Sequence, residues 1–135
     1  MKTLHPDDYE ALADFRHLLR KFLRFSKDLL RAKAGLNPEQ YEALLAIKAF
    51  PSGNLTITQL SERLQVKHHS AVNIVDRLVE RKLLRRQAGE EDRRERHLEL
   101  TDKGKQLIEE LARVHYTELS KRSGEMIKGL QRLRT

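Results

Sequence analysis

Within this 135-residue chain, the side chains best suited to recognition chemistry cluster between residues 67 and 94. Ser70, Asn73 and Arg77 recur at spacings of three and four, which puts them on one face of a helix, with His69 beside them. These types suit the major groove of duplex DNA. An Asn amide bonds adenine with both its groups, a Ser hydroxyl reads either edge, and an Arg guanidinium binds guanine or a phosphate. Lys67 and His68 precede them and Arg86 follows, as further candidates for anionic backbone. Between residues 66 and 86, Lys and Arg number six against two Asp and Glu.

A second cluster is the charge run Glu90-Glu91-Asp92-Arg93-Arg94-Glu95-Arg96. On a hairpin tip its arginines would reach a narrow minor groove, where the negative potential is enhanced. Acids at such a tip repel phosphates unless they have another task. Asp92 is placed to hold the Arg94 guanidinium in one direction, a bidentate geometry that arginine suits better than lysine.

Other chemistries find little footing. Of the histidines 5, 17, 68, 69, 97 and 115, no two have the i, i+4 spacing of a helical zinc site. The absence of cysteine removes disulfides, thiolate-ligated zinc and thiol redox sensing. Ser61, Ser70 and Ser120 lack a glycine elbow, and there is no phosphate-binding glycine loop. The expectation is a protein without catalytic activity, resident metal or cofactor. A formal net charge of +7 favours an anionic partner, nucleic acid before membrane. No apolar run approaches the length of a membrane span, and residues 1–14 do not pattern as a signal peptide. The expected compartment is the cytoplasm.

The elements that must position these residues are mostly helical. Three prolines and six glycines interrupt the chain. Residues 6–33 contain no helix breaker, start on His5-Pro6-Asp7-Asp8, and repeat Leu12, Phe15, Leu19, Phe22, Leu23, Leu29 and Leu30 at helical spacing. Such a helix is about 43 Å long, more than so small a chain covers alone, so part of its apolar stripe is expected to meet another subunit. Gly35 reads as a left-handed stop, Asn37 as an N-cap and Pro38 as the first residue of a short helix carrying Tyr41, Leu44, Leu45 and Ile47. A turn is expected at 51–54, a very short strand at 55–57, and a helix over 58–64 capped by Thr58. A tight connection over 65–67 leads to a helix over 68–81 with Val72, Val75, Leu78 and Val79 inward. Strands over 83–87 and 96–100 flank the charged tip. Thr101-Asp102 caps a last helical stretch toward Leu133, with Leu107, Leu111, Val114, Leu119, Ile127, Leu130 and Leu133 as its stripe and Gly124 as a candidate break.

Two short helices around a three-residue turn, followed by a charged hairpin, make a winged helix-turn-helix. The chain therefore reads as one domain, 1–135, mainly α with a small β-hairpin wing. A DNA-binding lobe over 36–101 is flanked by a helical dimerisation region over 5–34 and 102–135. A winged-helix scaffold also serves as a protein-interaction module without specific DNA binding; the loop arginine and the Ser70, Asn73, Arg77 face favour DNA.

The stretch LTITQLSERLQVKHHSAVNIVDRLVERKLLRR, the wing EEDRRERHLELTDKGKQLIEEL and above all Asp92-Arg93-Arg94 followed by LELTDKG resemble the MarR family of bacterial transcriptional regulators. The resemblance is strong over about residues 36–112. It implies a homodimer joined through the N- and C-terminal helices, here through Leu12, Phe15, Leu19, Leu119, Ile127, Leu130 and Leu133, with two winged lobes on a palindromic operator. It implies a repressor released by a small ligand, often aromatic or phenolic, bound near the crevice between dimer helices and DNA lobes. Asp92 and Arg94 become the wing pair, and Ser70, Asn73 and Arg77 groove and backbone contacts. The chain departs from the family at Lys82, where Gly is common, and in a short C-terminal region carrying Gly124.

Overall fold

A computed structural model describes residues 3–50, 55–88 and 96–133. In chain order the elements are α1 (Pro6–Ala34), α2 (Pro38–Ala49), α3 (Ile57–Leu64), α4 (His68–Glu80), β1 (Leu84–Ala88), β2 (Arg96–Leu100) and α5 (Asp102–Gln131). Among the described residues no helix is long and apolar enough to cross a membrane.

Local chemistry sets most boundaries. Asp7 and Asp8 occupy the first turn of α1, and Asp8 accepts from the His5 N–H at 2.9 Å. Gly35 ends the helix at φ +62°, its N–H bonding back to Arg31 and that of Leu36 to Leu30. Asn37 and Gln40 then cap each other's backbone at 2.8 and 2.9 Å. At α3 the cap is Thr56, not Thr58: Thr56 and Gln59 form the reciprocal pair, and the helix starts one residue earlier than expected. The strand expected at 55–57 reduces to one bridge, Thr56 to His97, because the cap commits Ile57 to the helix. The turn expected at 51–54 lies outside the described residues.

α2 sits centrally, against α1, α3, α4, α5 and β2. Its buried face is Tyr41, Ala43, Leu44, Ala46 and Ile47, while Leu45 turns outward. In α4 the inward stripe is Ala71, Ile74, Val75 and Leu78, and Val72 and Val79 flank it half-buried. The stripe's phase is set by positions i, i+3, i+4 and i+7 from a small residue, Ala71, that lets α4 approach its neighbours closely. The core is completed by Leu30, Leu36, Leu55, Leu60, Leu83, Leu84, Leu98, Leu100, Ile108 and Leu111.

α1 and α5 run antiparallel. Ser26 meets His115 near one end of the pair, and Arg132 meets Asp14 and Glu10 at the other. The buried residues of α1 are Ala11, Ser26 and Leu30; those of α5 are Gly104, Ile108, Leu111, His115 and Gly129. Gly124 does not break α5. A single exposed glycine costs about 1 kcal/mol in a helix interior, which thirty residues of continuous hydrogen bonding and the contact with α1 override.

The corner between α4 and β1 is tight. Lys82 takes φ +61°, and the Leu83 N–H reaches back to the Leu78 carbonyl at 3.0 Å, a left-handed helix stop built without glycine. Thr101 caps α5 through the Gly104 N–H and donates its hydroxyl to the Lys82 carbonyl at 2.6 Å. A Cβ on Gly104 would stand 2.1 Å from the Leu83 carbonyl oxygen. The LTDKG stretch thus owes its glycine to backbone packed on backbone. Two outcomes follow for chemical denaturation. Lys82→Gly relieves the left-handed strain and raises stability by about 1 kcal/mol. Gly104→Ala forces the corner apart and lowers it by about 3 kcal/mol. Equal stabilities for Gly104→Ala and wild type would contradict the close approach.

Candidate nucleic-acid interface

The turn between α3 and α4 is held by Gln65 in the left-handed region, φ +54°. Its N–H bonds to the Glu62 carbonyl at 3.2 Å, its side-chain amide donates to the same oxygen at 2.7 Å, and the Val66 N–H reaches Ser61 at 3.1 Å. The Gln65 amide thus adds a second donor on the Glu62 carbonyl and also reaches the Glu62 carboxylate at 3.1 Å, which ties the turn to the end of α3. The chain then leaves through Lys67, extended, into α4.

With Ala71, Ile74, Val75 and Leu78 turned to the core, the opposite side of α4 carries His69, Asn73, Arg77 and Glu80, all exposed. Lys67 and His68 are exposed at its start, and the first turn holds no acid. The free N–H groups and positive dipole end there suit a phosphate. Ser70 is half-buried, on the shoulder rather than the centre of the outward face.

Arg86 on β1 is half-buried and forms an ion pair with Asp76 of α4. The pair fastens the wing to the helix and neutralises an acid one turn from Asn73. Arg86 is thus already engaged within the protein. The hairpin has the register Leu84 to Leu100, Arg85 to Glu99 and Arg86 to Leu98. Leu84, Leu98 and Leu100 are buried, and the Leu98 N–H bonds to the Leu55 carbonyl at 3.0 Å. Arg85 donates to Glu99 at 3.2 Å and holds its carboxyl below the ordinary range. Strand β1 starts at Leu84 instead of Leu83, because Leu83 completes the helix stop. Asp92, Arg93 and Arg94 lie outside the described residues.

Three arrangements carry no signature in the sequence. Asp76–Arg86 is one. The second is His115, buried on α5: Nε2 is 2.8 Å from the Ser26 hydroxyl, Nδ1 is 2.7 Å from the Leu111 carbonyl, and the ring stacks on Tyr41 at 4.3 Å. Since a carbonyl only accepts, Nδ1 carries a proton. Burial pushes the Tyr41 hydroxyl above its ordinary pKa, with Glu42 adding to the shift. The third is Arg81, whose guanidinium reaches the end of α1. Partners 89, 10 and 46–47 residues apart cannot be read from periodicity. Among the described residues no group of acids and histidines could hold a metal ion.

Residues 34–95 match the MarR family. Over that stretch the chain is similar to the family's winged helix-turn-helix regulators. It is 32% identical over 92 residues to the HTH-type transcriptional repressor MdtR of Bacillus subtilis, covering 67% of this chain and 58% of MdtR. The chain spans between half and three-fifths of the length of the curated relatives it matches. Its fold is that of MepR, a transcription regulator of the Staphylococcus aureus multidrug efflux pump MepA (TM-score 0.75, 20% identity, 89% of this chain and 96% of that one). It is equally that of Streptococcus pneumoniae FabT, solved in complex with DNA (TM-score 0.76, 23% identity, 93% and 94%). The MarR winged helix-turn-helix is realised here by α3, α4 and the β1–β2 hairpin, with α1 and α5 as the flanking long helices. The family's usual glycine after the recognition helix is replaced by left-handed Lys82 with the turn intact.

The ion pair makes a measurable claim. In a double-mutant cycle of Asp76→Ala and Arg86→Ala, followed by chemical denaturation, the coupling should be about 0.5–1 kcal/mol, the upper part of the range for a partly exposed pair. Strict additivity would show that the pair does not fasten the wing.

Proposed function

We propose that the protein is a cytoplasmic, homodimeric regulator that binds a palindromic duplex operator in a sequence-specific manner, acting as a repressor released by a small ligand. The observation that carries this reading is the phase of α4: its apolar stripe is anchored in the core, so Asn73, Arg77 and His69 stand clear of the protein. Asn73 and Arg77 read base edges, with Ser70 at the groove wall. Lys67, His68 and His69 meet phosphates around the helix start. Arg86 orients the wing, whose tip delivers Arg94, held by Asp92, to the minor groove, with Arg93 beside it.

The dimer is supported by exposed apolar residues on the long helices. Leu12, Leu119, Ile127, Leu130 and Leu133 are between 37% and 54% exposed, with Phe15 and Leu19 half-buried beside them. A twofold axis through these faces covers the patch and sets two α4 helices about 34 Å apart, one turn of duplex. Release by a ligand is supported by an open cleft between α2 and α5, where Ile108, Ala112 and Tyr116 form an apolar wall beside the Lys48–Glu109 ion pair. A small aromatic ring fits that apolar wall. MdtR, named as a repressor, lends the sign of regulation.

Selection of random duplexes by the purified protein, read by sequencing, tests the reading and returns the half-site. Binding to the selected palindrome should fall about 10³–10⁵-fold between 50 and 200 mM salt if six to ten phosphates are contacted. Recovery of no common sequence, or affinity indifferent to salt, would reject the proposal.

A further inference from the structure

The last carbonyls of a helix have no partner within it and carry the negative end of its dipole. At the end of α1, the Gly35 and Leu36 N–H groups satisfy Arg31 and Leu30, which leaves the carbonyls of Ala32, Lys33, Ala34 and Gly35 outside the backbone ladder. Those of Ala34 and Gly35 are taken by one side chain. Arg81 Nη2 donates to Ala34 at 2.8 Å and Nη1 to Gly35 at 3.3 Å. Arg81 is itself the residue that closes α4, its N–H bonding to Arg77 at 3.1 Å. Its own carbonyl accepts from Lys103 Nζ at 3.3 Å, in the first turn of α5. One residue therefore joins the ends of the recognition helix and of both long helices.

We propose that Arg81 is a positioning residue for operator reading: its guanidinium on the α1 terminus sets the angle of α4 against the long-helix pair, and through it the half-site spacing the dimer accepts. This rests on the operator reading above. The core that buries Leu30 of α1 together with Ile74, Val75 and Leu78 of α4 brings the two helices into one packed body. The fork adds a direction to that packing, because two donors in one plane define a direction and a single ammonium defines only a point. Small rotations at this end are magnified at Asn73, about two helical turns away.

The absence of cysteine permits a direct test in the full-length chain. Lys21→Cys and Asn73→Cys, both at exposed positions on α1 and α4, take spin labels. Diluting the labelled chain into unlabelled protein restricts the distance to one chain. Arg81→Ala should broaden that distance distribution while helicity is kept, and Arg81→Lys should give an intermediate width. In chains without labels, duplexes carrying the selected half-sites at the preferred spacing, or one base pair longer or shorter, report the consequence. Arg81→Ala should reduce the preference for the best spacing by about 2- to 30-fold, the scale of a coupling mutation, with half-site sequence preference and salt slope unchanged. An unchanged distance distribution overturns the proposal. So does a loss equal at every spacing with a salt slope lowered by about one, which would make Arg81 a phosphate contact. A wild-type chain that selects no duplex removes the operator reading, and the distances alone then decide whether Arg81 orients α4.

Discussion

Two helices of 29 and 30 residues lie against each other with a thin seam between them. The seam is made of small or polar residues at several points: Ala11, Ser26, Gly129 and the His115 imidazole. Small side chains bring helices close but bury little apolar area. What the seam leaves out is larger, since Leu12, Leu23, Leu119, Ile127 and Leu130 all face outward. Among the described residues no further element lies over them. The unmet burial of α1 and α5 is the constraint on which the rest depends, because in the proposed dimer a second copy that covers it also fixes where two α4 helices stand.

The lobe must then be held at a defined angle to this scaffold, and the structure concentrates that task at residues 81–83. Left-handed Lys82 turns the chain, Leu83 enters the core, Gly104 lets α5 start against the Leu83 carbonyl, and Arg81 grips the end of α1. Packing of backbone on backbone tolerates little displacement. A second tie runs through His115, whose ring stacks on Tyr41 of α2 while hydrogen-bonding to α1 and to its own helix. Lobe and long helices therefore share one packed unit.

What could be read from the sequence was local. Gly35, Asn37 with Pro38, and Thr101 mark boundaries because a left-handed stop, a cap and a fixed φ are properties of a few consecutive residues. The Thr56–Gln59 pair was equally local, yet Thr58 offered a competing cap; the residue three positions on decides, since the Gln59 amide oxygen accepts from the Thr56 N–H whereas the Ser61 hydroxyl donates to the Thr58 carbonyl. The outward placement of Asn73 and Arg77 survives a shift in the assumed phase of α4, because Val72 and Val79 border the stripe that Ala71 and Ile74 complete. Asp76–Arg86, Ser26–His115 and Arg81 with the α1 terminus were illegible, since each joins elements whose relative placement only the fold supplies. The Asp92–Arg94 pair rests on the sequence and the family resemblance.

The central claim is that the outward apolar faces of α1 and α5 are the surface on which two chains meet. Removing the C-terminal residues would test it poorly, because Arg132 also ties α5 to Glu10 and Asp14 within one chain. Charges at Ile127 and Leu130 avoid that, since both side chains are about half exposed in the single chain, at 54% and 47%. The decisive measurement is the sedimentation-equilibrium mass of Ile127→Glu, Leu130→Glu beside wild type. Wild type should sediment as two chains and the variant as one, with helicity retained and tight binding to the selected palindrome lost. A variant that keeps the mass of two chains and binds the palindrome as wild type does would contradict it.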